Sequence, residues 1–315
     1  MSADPIALRG LRVFERGWLS SNNVLLQGHD DDDGDGGATL IDSGHVVHAD
    51  QTVALLRHAL GPGEALRRVV NTHLHSDHCG GNATLQREFG AQVQVPQASF
   101  DAVQRWDEVR LTYRDTGQRC ECFTADGVIA PGQALRLGGR AWQVLAAPGH
   151  DPESVLLFDA HEGVLISADA LWENGFGIVF PELAGEPGFD DVAAVLDLID
   201  TLPVQWVVPG HGAPFADVKG ALARARHRLA GQRADPARHA RHAARVLLKY
   251  HLMEERAQAW PALHAWAEGT PLFARIWREV GAADADSPAP WCEQIVQALA
   301  AAGALRVAEG IVHDA

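Results

Sequence analysis

The densest chemistry in the chain is the run His73-Leu74-His75-Ser76-Asp77-His78, joined far downstream by His150, Asp169 and His211. Imidazole nitrogens and carboxylate oxygens are ordinary ligands of divalent cations, and their spacing here suits that use. In an extended stretch residues i and i+2 project to one side, so His73 and His75 can present both rings to a single ion. Ser76 or Asp77 is placed to cap a helix running to about Phe89 and stopped by Gly90. Asp77 and His78, at the start of that helix, then face a second ion. The pattern is that of a dinuclear metal site.

These side chains need elements to bring them together, and each block follows an apolar, strand-like run. Residues 66–70 lead into the His73 block, 142–146 into Pro148-Gly149-His150, 164–167 into Asp169, and 206–208 into Pro209-Gly210-His211. Four strands ending in candidate ligands predict an α/β architecture with its chemistry on one sheet edge. Further strands are expected at 11–15, 23–27 and 38–41. The acidic run 30–37 between the last two reads as a solvated hairpin tip, since it lacks the alternating ligands and closing Glu of a calcium loop. Asp42, at the end of the 38–41 strand, reads equally as a turn former or as a group orienting a ligand histidine. An amphipathic helix is expected at 190–201, with Val192, Val195, Leu196 and Ile199 on its core face.

Beyond His211 the composition shifts to Ala, Arg and His. Helices are expected at 217–230, 236–256 and 290–301, then short strands at 304–307 and 311–312 around Glu309-Gly310, an order that suggests a winged helix. The chain therefore divides into a catalytic domain, 1–216, and a smaller, mainly helical C-terminal domain, 217–315.

Composition narrows the partners. The net charge of -15 is uneven: residues 1–220 hold 14 Lys+Arg against 31 Asp+Glu, residues 221–315 hold 12 against 10. An acidic main body repels phosphate backbones and argues for a small-molecule substrate over a nucleic acid. The exception is the arginine-rich stretch Arg224, Arg226, Arg228, Arg233, Arg238, Arg241 and Arg245, the one route to RNA. The sequence shows neither a secretory leader nor a bilayer-spanning run, so a cytoplasmic protein without membrane attachment is expected. Four cysteines give no disulfide framework at this length. Cys79 is a soft-ligand alternative beside His78, and Cys120-Glu121-Cys122 would need a partner pair that the neighbouring sequence does not supply.

The blocks H-x-H-x-D-H at 73–78, P-G-H at 148–150, S-A-D at 167–169 and P-G-H-G at 209–212 resemble, in order, those of the metallo-β-lactamase superfamily. The resemblance covers about residues 8–215 and implies a four-layered αββα sandwich with a dinuclear site at one edge of its two sheets. It places His73, His75 and His150 on one metal, Asp77, His78 and His211 on the other, and Asp169 between them. A bridging aspartate is a mark of the glyoxalase II-like, lactonase and phosphodiesterase members rather than of true β-lactamases. Two departures stand out: Ile178 lies near where glyoxalase II carries an arginine for glutathione, and Asp151 and Glu153 stand where relatives commonly have Thr and Gly. The tail resembles the winged-helix extension of some members.

The expected function is a metal-dependent hydrolase of a small ester-like substrate: a thioester, lactone or related acyl compound. Its nucleophile would be a hydroxide shared by two ions, with Asp77 as ligand and proton acceptor. The alternatives are a phosphodiesterase or ribonuclease, and an iron-dependent sulfur dioxygenase or other redox enzyme. The donor set suits two divalent ions, zinc first and then iron or manganese. Trp172, Phe176 and Phe180 are expected to line an apolar substrate pocket. A homodimer is compatible with the sequence.

Overall fold

The structure, a computed structural model, describes residues 6–30, 32–33 and 36–315, with side chains from residue 7 onward. The chain forms two compact units, Met1–Leu111 with Arg119–Leu229, and Thr112–Gln118 with Ala230–Ala315.

In the first unit, one six-stranded sheet runs in chain order: β1 Leu11–Phe14, β2 Asn23–Leu26, β3 Ala38–Ile41, β4 Leu66–Val70, β5 Gln92–Pro96 and β6 Gly127–Ile129. It is antiparallel through β3 and parallel from β3 to β6. The second sheet contains β7 Ala134–Leu137, β8 Arg140–Ala146, β9 Val155–Asp159, β10 Val164–Ala168 and β11 Trp206–Pro209, with only β10 and β11 parallel.

The strand alternation shows how the sheets are packed. Val155, Leu157, Val164 and Ile166 of the second sheet join Val24, Leu26, Ile41 and Val70 of the first in one buried cluster. Their neighbours Leu156, Phe158 and Leu165 point to the other face, where a second cluster forms with Val192, Val195, Leu196 and Ile199. That is the period-2 signature of a sheet buried on both sides. Its outer cover is the helix Phe189–Thr201 and the start of Val218–Ala234. The helices Ala49–Ala59 (α1) and Asn82–Phe89 pack together, the latter also against β4 and β5. The result is the expected αββα layering.

Most boundaries fall within a residue or two of those expected, with one instructive difference at the metal-ligand run. The helix expected to continue from Ser76 to Phe89 is two helices, α2 Ser76–Cys79 and α3 Asn82–Phe89. The break comes from tertiary competition for backbone groups. The His78 carbonyl accepts from Ser43 N at 2.7 Å, and Gly81 N donates to Gly44 O at 3.0 Å. Nor does Ser76 or Asp77 cap α2: the N-cap position is His75, which makes no side-chain cap bond. Gly90 does end α3, in the left-handed region at φ 65°.

The acidic run 30–37 lies partly outside the described residues. Of those described, Asp32 accepts from Gly138 N and Gly139 N at 2.8 Å each, and Asp33 from Arg136 N at 2.8 Å. These two aspartates are tied to the β7–β8 hairpin rather than simply solvated.

The helices that follow in chain order are α4 Phe100–Arg105, α5 Tyr113–Thr116 (in the second unit), α6 Phe180–Ala184, α7 Phe189–Thr201 and α8 Val218–Ala234. The second unit continues with α9 Pro236–Glu255, α10 Trp260–Gly269, α11 Pro271–Ile276 and α12 Pro288–Ala301. It closes on a three-stranded antiparallel sheet in which β14 Ile311–Asp314 lies between β12 Ala257–Ala259 and β13 Leu305–Ala308. The β13–β14 turn is Glu309-Gly310 at φ 51° and 77°, the positive pair that a tight two-residue hairpin requires. No described helix is long and apolar enough to cross a membrane.

Candidate metal centre

His73, His75, His150, Asp169 and His211 sit on segments leaving the C-terminal ends of strands, Asp77 and His78 on the short helix α2 that follows, and all seven are buried, none more than 8% exposed. Two groups form. His73, His75 and His150 bring three ring nitrogens together, while Asp77, His78, Asp169 and His211 make the second set.

In the first group, His73 Nε2 lies 3.1 Å from His75 Nδ1, which lies 2.8 Å from His150 Nε2. Two nitrogens on one tetrahedral ion would stand about 3.3 Å apart given metal–nitrogen bonds of about 2.0–2.1 Å. The three rings are thus nearly in ligating register. Burial, reinforced by the neighbouring imidazoles, lowers His73 well below the usual histidine value. His75 drops to about 4 through burial, and His150 to about 4 through burial and His75. All three are neutral at pH 7, the form that binds metal.

The outer nitrogens are assigned to protein groups. His150 Nδ1 lies 2.6 Å from Ile178 O, which fixes its proton there and leaves Nε2 as the donor to a cation. His75 Nε2 faces Asp151 Oδ2 at 3.8 Å. Asp151 is therefore beside a ligand ring, and burial raises its pKa. Glu153, the other departure, is bound to Ser99 and Arg110.

The second group carries more charge. Asp77 Oδ2 is 3.1 Å from His211 Nε2 and 3.7 Å from His78 Nε2. Burial works upward on Asp77, yet His78 and His211 bring it down to about 2. Asp169 is held well below the carboxylate range by His78 and His211 against the same opposition. His78 goes the other way: burial works against its charge, but Asp42, Asp77 and Asp169 hold its pKa well above the ordinary value.

The fit to a cation is visible at His78. Its Nε2 is buried without a hydrogen-bond partner, flanked by Asp169 Oδ1 at 3.5 Å and Asp77 Oδ2 at 3.7 Å. Two buried carboxylates facing one orphaned nitrogen demand positive charge between them. A divalent cation supplies it, and so the donor sets of both groups fit divalent metal.

Asp169 links the two sets. Its Oδ2 is 3.3 Å from His150 Nε2, whereas its Oδ1 faces His78 Nε2 at 3.5 Å and His211 Nε2 at 3.8 Å. This placement depends on local backbone strain and on glycine. Ala168 has φ 44°, beside an irregularity in the β10–β11 pairing. A Cβ on Gly210 would come within 2.2 Å of Asp169 Oδ1, and one on Gly177 within 2.4 Å of His150 Nδ1. Only glycine allows either approach.

Two features escaped the sequence. Trp18, 62% exposed, stacks on His211 with centroids 5.3 Å apart and planes 17° from parallel. His211 Nδ1 has no hydrogen-bond partner, so Trp18 and the edge of Trp172 hold the ring instead. Asn22 ties the loop carrying His211, its Nδ2 donating to Pro209 O at 2.9 Å and Gly212 O at 2.7 Å. The only signal was Ser20-Ser21-Asn22-Asn23, a polar run too well buried to be an ordinary connection.

The expected aromatics divide. Trp172 is half-buried and donates from Nε1 to Asp169 Oδ1 at 3.2 Å. Phe180, also half-buried, sets its ring against His75 and His150. Phe176 is 1% exposed, with the Arg228 guanidinium over its ring, and lines a small cavity together with His150 and Asp169. Cys79 is not in either ligand group; its thiol donates to Leu74 O and His75 O. In the arginine-rich stretch, Arg226 pairs with Asp197 and Asp200, Arg224 with Asp217, and Arg241 with Asp284. Those cations are neutralised within the chain.

Residues 16–211 match the family model described as "Metallo-beta-lactamase superfamily". The chain belongs to that superfamily. Among its curated relatives is a hydroxyacylglutathione hydrolase of Xanthomonas euvesicatoria pv. vesicatoria (strain 85-10), 33% identical over 71% of this chain and 75% of that one. The human acyl-coenzyme A thioesterase MBLAC2 is 26% identical over 48% of this chain and 59% of its own length. In solved structures, a metallo-beta-lactamase family protein of Thermus thermophilus superposes over 97% of this chain and 99% of that one, with TM-score 0.54 and 20% identity. A beta-lactamase domain protein of Burkholderia ambifaria covers 97% and 93%, with TM-score 0.54 and 19% identity. Both likenesses concern the fold.

Proposed function

We propose that this chain is a dinuclear metallohydrolase acting on small acyl thioesters. The observation that carries the reading is Asp169, whose two oxygens face separate ligand groups. His73, His75 and His150 would hold one cation, Asp77, His78 and His211 the other, with Asp169 shared. Zinc is the first choice for this set of imidazoles and carboxylates, ahead of iron or manganese. Bound divalent ions supply Lewis acidity and make water a nucleophile near neutral pH.

The chain's own groups do the rest. Asp77, ionised down to about 2, is a carboxylate available to accept a proton as the acyl carbon is attacked. Trp172 holds Asp169 through Nε1–H, leaving the carboxylate less free to rotate. Trp18 and Trp172 on the His211 side and Phe180 on the His75 side form an apolar rim for the acyl group. A thiolate leaves readily, so the absence of an evident general acid suits a thioester. Relatives named for hydroxyacylglutathione and acyl-coenzyme A hydrolysis support this substrate class. Ile178 offers the site only its carbonyl, which favours thioesters whose carrier needs no guanidinium at that point.

We assign the chemistry to the domain 1–216, which contains all seven candidate ligands, and no part of it to 217–315. The test is a panel of acyl-coenzyme A, acyl-glutathione, lactone and phosphodiester substrates against zinc-loaded protein. Thioesters should give the highest kcat/KM; a phosphodiester preferred over every thioester would overturn the reading.

A further inference from the structure

Two cysteines far apart in sequence meet at the end of the short helix that carries Asp77 and His78. Cys79 ends α2, directly after Asp77 and His78, and is fully buried. Its Sγ lies 3.8 Å from Cys120 Sγ, across 41 positions of chain. Cys120 is partly accessible and Cys122 exposed, on the stretch 118–126, which has no helix or strand. None of the four cysteines is in a disulfide.

We propose that Cys79 and Cys120 are an oxidisable dithiol, a modification site for peroxides that acts on the metal-ligand turn. The geometry assigns different roles to the two sulfurs. Cys120, accessible from solvent, attacks the O–O bond of hydrogen peroxide; its sulfur becomes a sulfenic acid and one water leaves. Cys79, already alongside, attacks that sulfur, forming the S–S bond and releasing the sulfenic oxygen as a second water. Two thiols and one peroxide thus give one disulfide and two waters. The sulfurs must close from 3.8 Å to about 2.05 Å. The irregular segment carrying Cys120 can supply that movement.

The consequence for the site follows from what the Cys79 thiol does when reduced. Its S–H donates to Leu74 O at 3.3 Å and His75 O at 3.4 Å, bracing the turn between His73 and Asp77. A disulfide has no S–H to donate. The His75 carbonyl keeps the amides of His78 and Cys79, but Leu74 O loses this bond. The turn that positions three ligands is loosened on one side and pulled towards Cys120 on the other. Displacements well under 1 Å at such a site are enough to slow turnover several-fold.

Full-length, zinc-loaded protein would be treated with hydrogen peroxide, digested without reduction and mapped by mass spectrometry, with turnover and zinc content followed in parallel. The expected result is a Cys79–Cys120 cross-linked peptide, short of two hydrogens, together with a several-fold fall in turnover that dithiothreitol reverses. Cys120→Ser should abolish both the cross-link and the loss of turnover, while Cys122→Ser should retain them. A Cys120–Cys122 disulfide, or Cys120 carried to sulfinic acid with Cys79 still a thiol, would overturn the pairing. A Cys79–Cys120 cross-link with unchanged turnover and zinc would overturn the control of the site. The cross-link itself is read by mass alone, so it stands or falls independently of the substrate.

Discussion

Asp42 Oδ2 lies 2.7 Å from His78 Nδ1, while Thr72 donates to the same carboxylate from its backbone nitrogen at 2.9 Å and its hydroxyl at 2.8 Å. The aspartate fixes the ring proton on Nδ1 and points Nε2 into the space between Asp77 and Asp169. It does so at φ 55°, a left-handed conformation that aspartate tolerates better than most residues. Removing such a support typically weakens metal binding about 10- to 100-fold. Asp42→Ala should therefore lower affinity for the second cation by that order with the first retained, as measured by competition with a chromophoric chelator.

The same histidine predicts a proton count. In the metal-free protein His78 stays protonated at pH 7, held so by Asp42, Asp77 and Asp169 against the cost of burial. A cation at its Nε2 must displace that proton. Calorimetric titration in buffers of differing ionisation enthalpy should find about one proton released as the second site fills, and none from His75 or His150, already neutral.

The first group sets an acid limit. Because His75 and His150 titrate near 4 when folded against an ordinary 6.5, the unfolded chain binds protons that the folded chain refuses between those values. Their contribution to stability is fully present above 6.5 and is lost as pH falls towards 4. His78, with a raised pKa, adds no slope in this window, since its contribution is complete below 6.5. The urea midpoint of metal-free protein should therefore fall as pH drops from 6.5 to 4, and His150→Gln should flatten that slope.

Gly210 offers a steric test. Its missing Cβ leaves room for Asp169 Oδ1, which would otherwise be met at 2.2 Å. Gly210→Ala should push the carboxylate off its shared position at a cost of about 1–3 kcal/mol in stability. Elemental analysis should find less than the full metal content, with circular dichroism unchanged.

Trp18 bears on substrate choice. Stacked on His211 yet 62% exposed, it offers its outer face to an acyl group. With ring contacts of this kind contributing about 0.5–1.5 kcal/mol, Trp18→Ala should raise KM for aromatic or long-chain thioesters about 3- to 10-fold, with kcat for an acetyl thioester little changed.

The His and Asp cluster was legible in the sequence because its blocks each follow an apolar run that reads as a buried strand, and strands placed that way end on a common edge. The αββα layering was expected only through the family resemblance; Val155 to Phe158, not singled out in the sequence, carries apolar side chains on both faces and is covered on both. What escaped depended on partners distant in the chain. The break at Gly80-Gly81 comes from Ser43 and Gly44 taking backbone bonds, and no local pattern announces it. The strand Ala257–Ala259 has little strand propensity and exists because β14 pairs with it. Cys79 and Cys120 gave no metal-like or disulfide-like spacing, since 41 residues separate them. Phe176 was expected at the pocket on position alone; it lines a small cavity with His150 and Asp169, and what the sequence did not show is the Arg228 guanidinium over its ring.

The most direct test of the account is the metal content of the purified protein and of Asp169→Ala, each reconstituted with zinc and measured by inductively coupled plasma mass spectrometry alongside thioester turnover. Two ions are expected per unchanged chain, with the variant losing metal and nearly all turnover. A variant that keeps two ions and full turnover, or an unchanged chain that never takes up more than one, would contradict it.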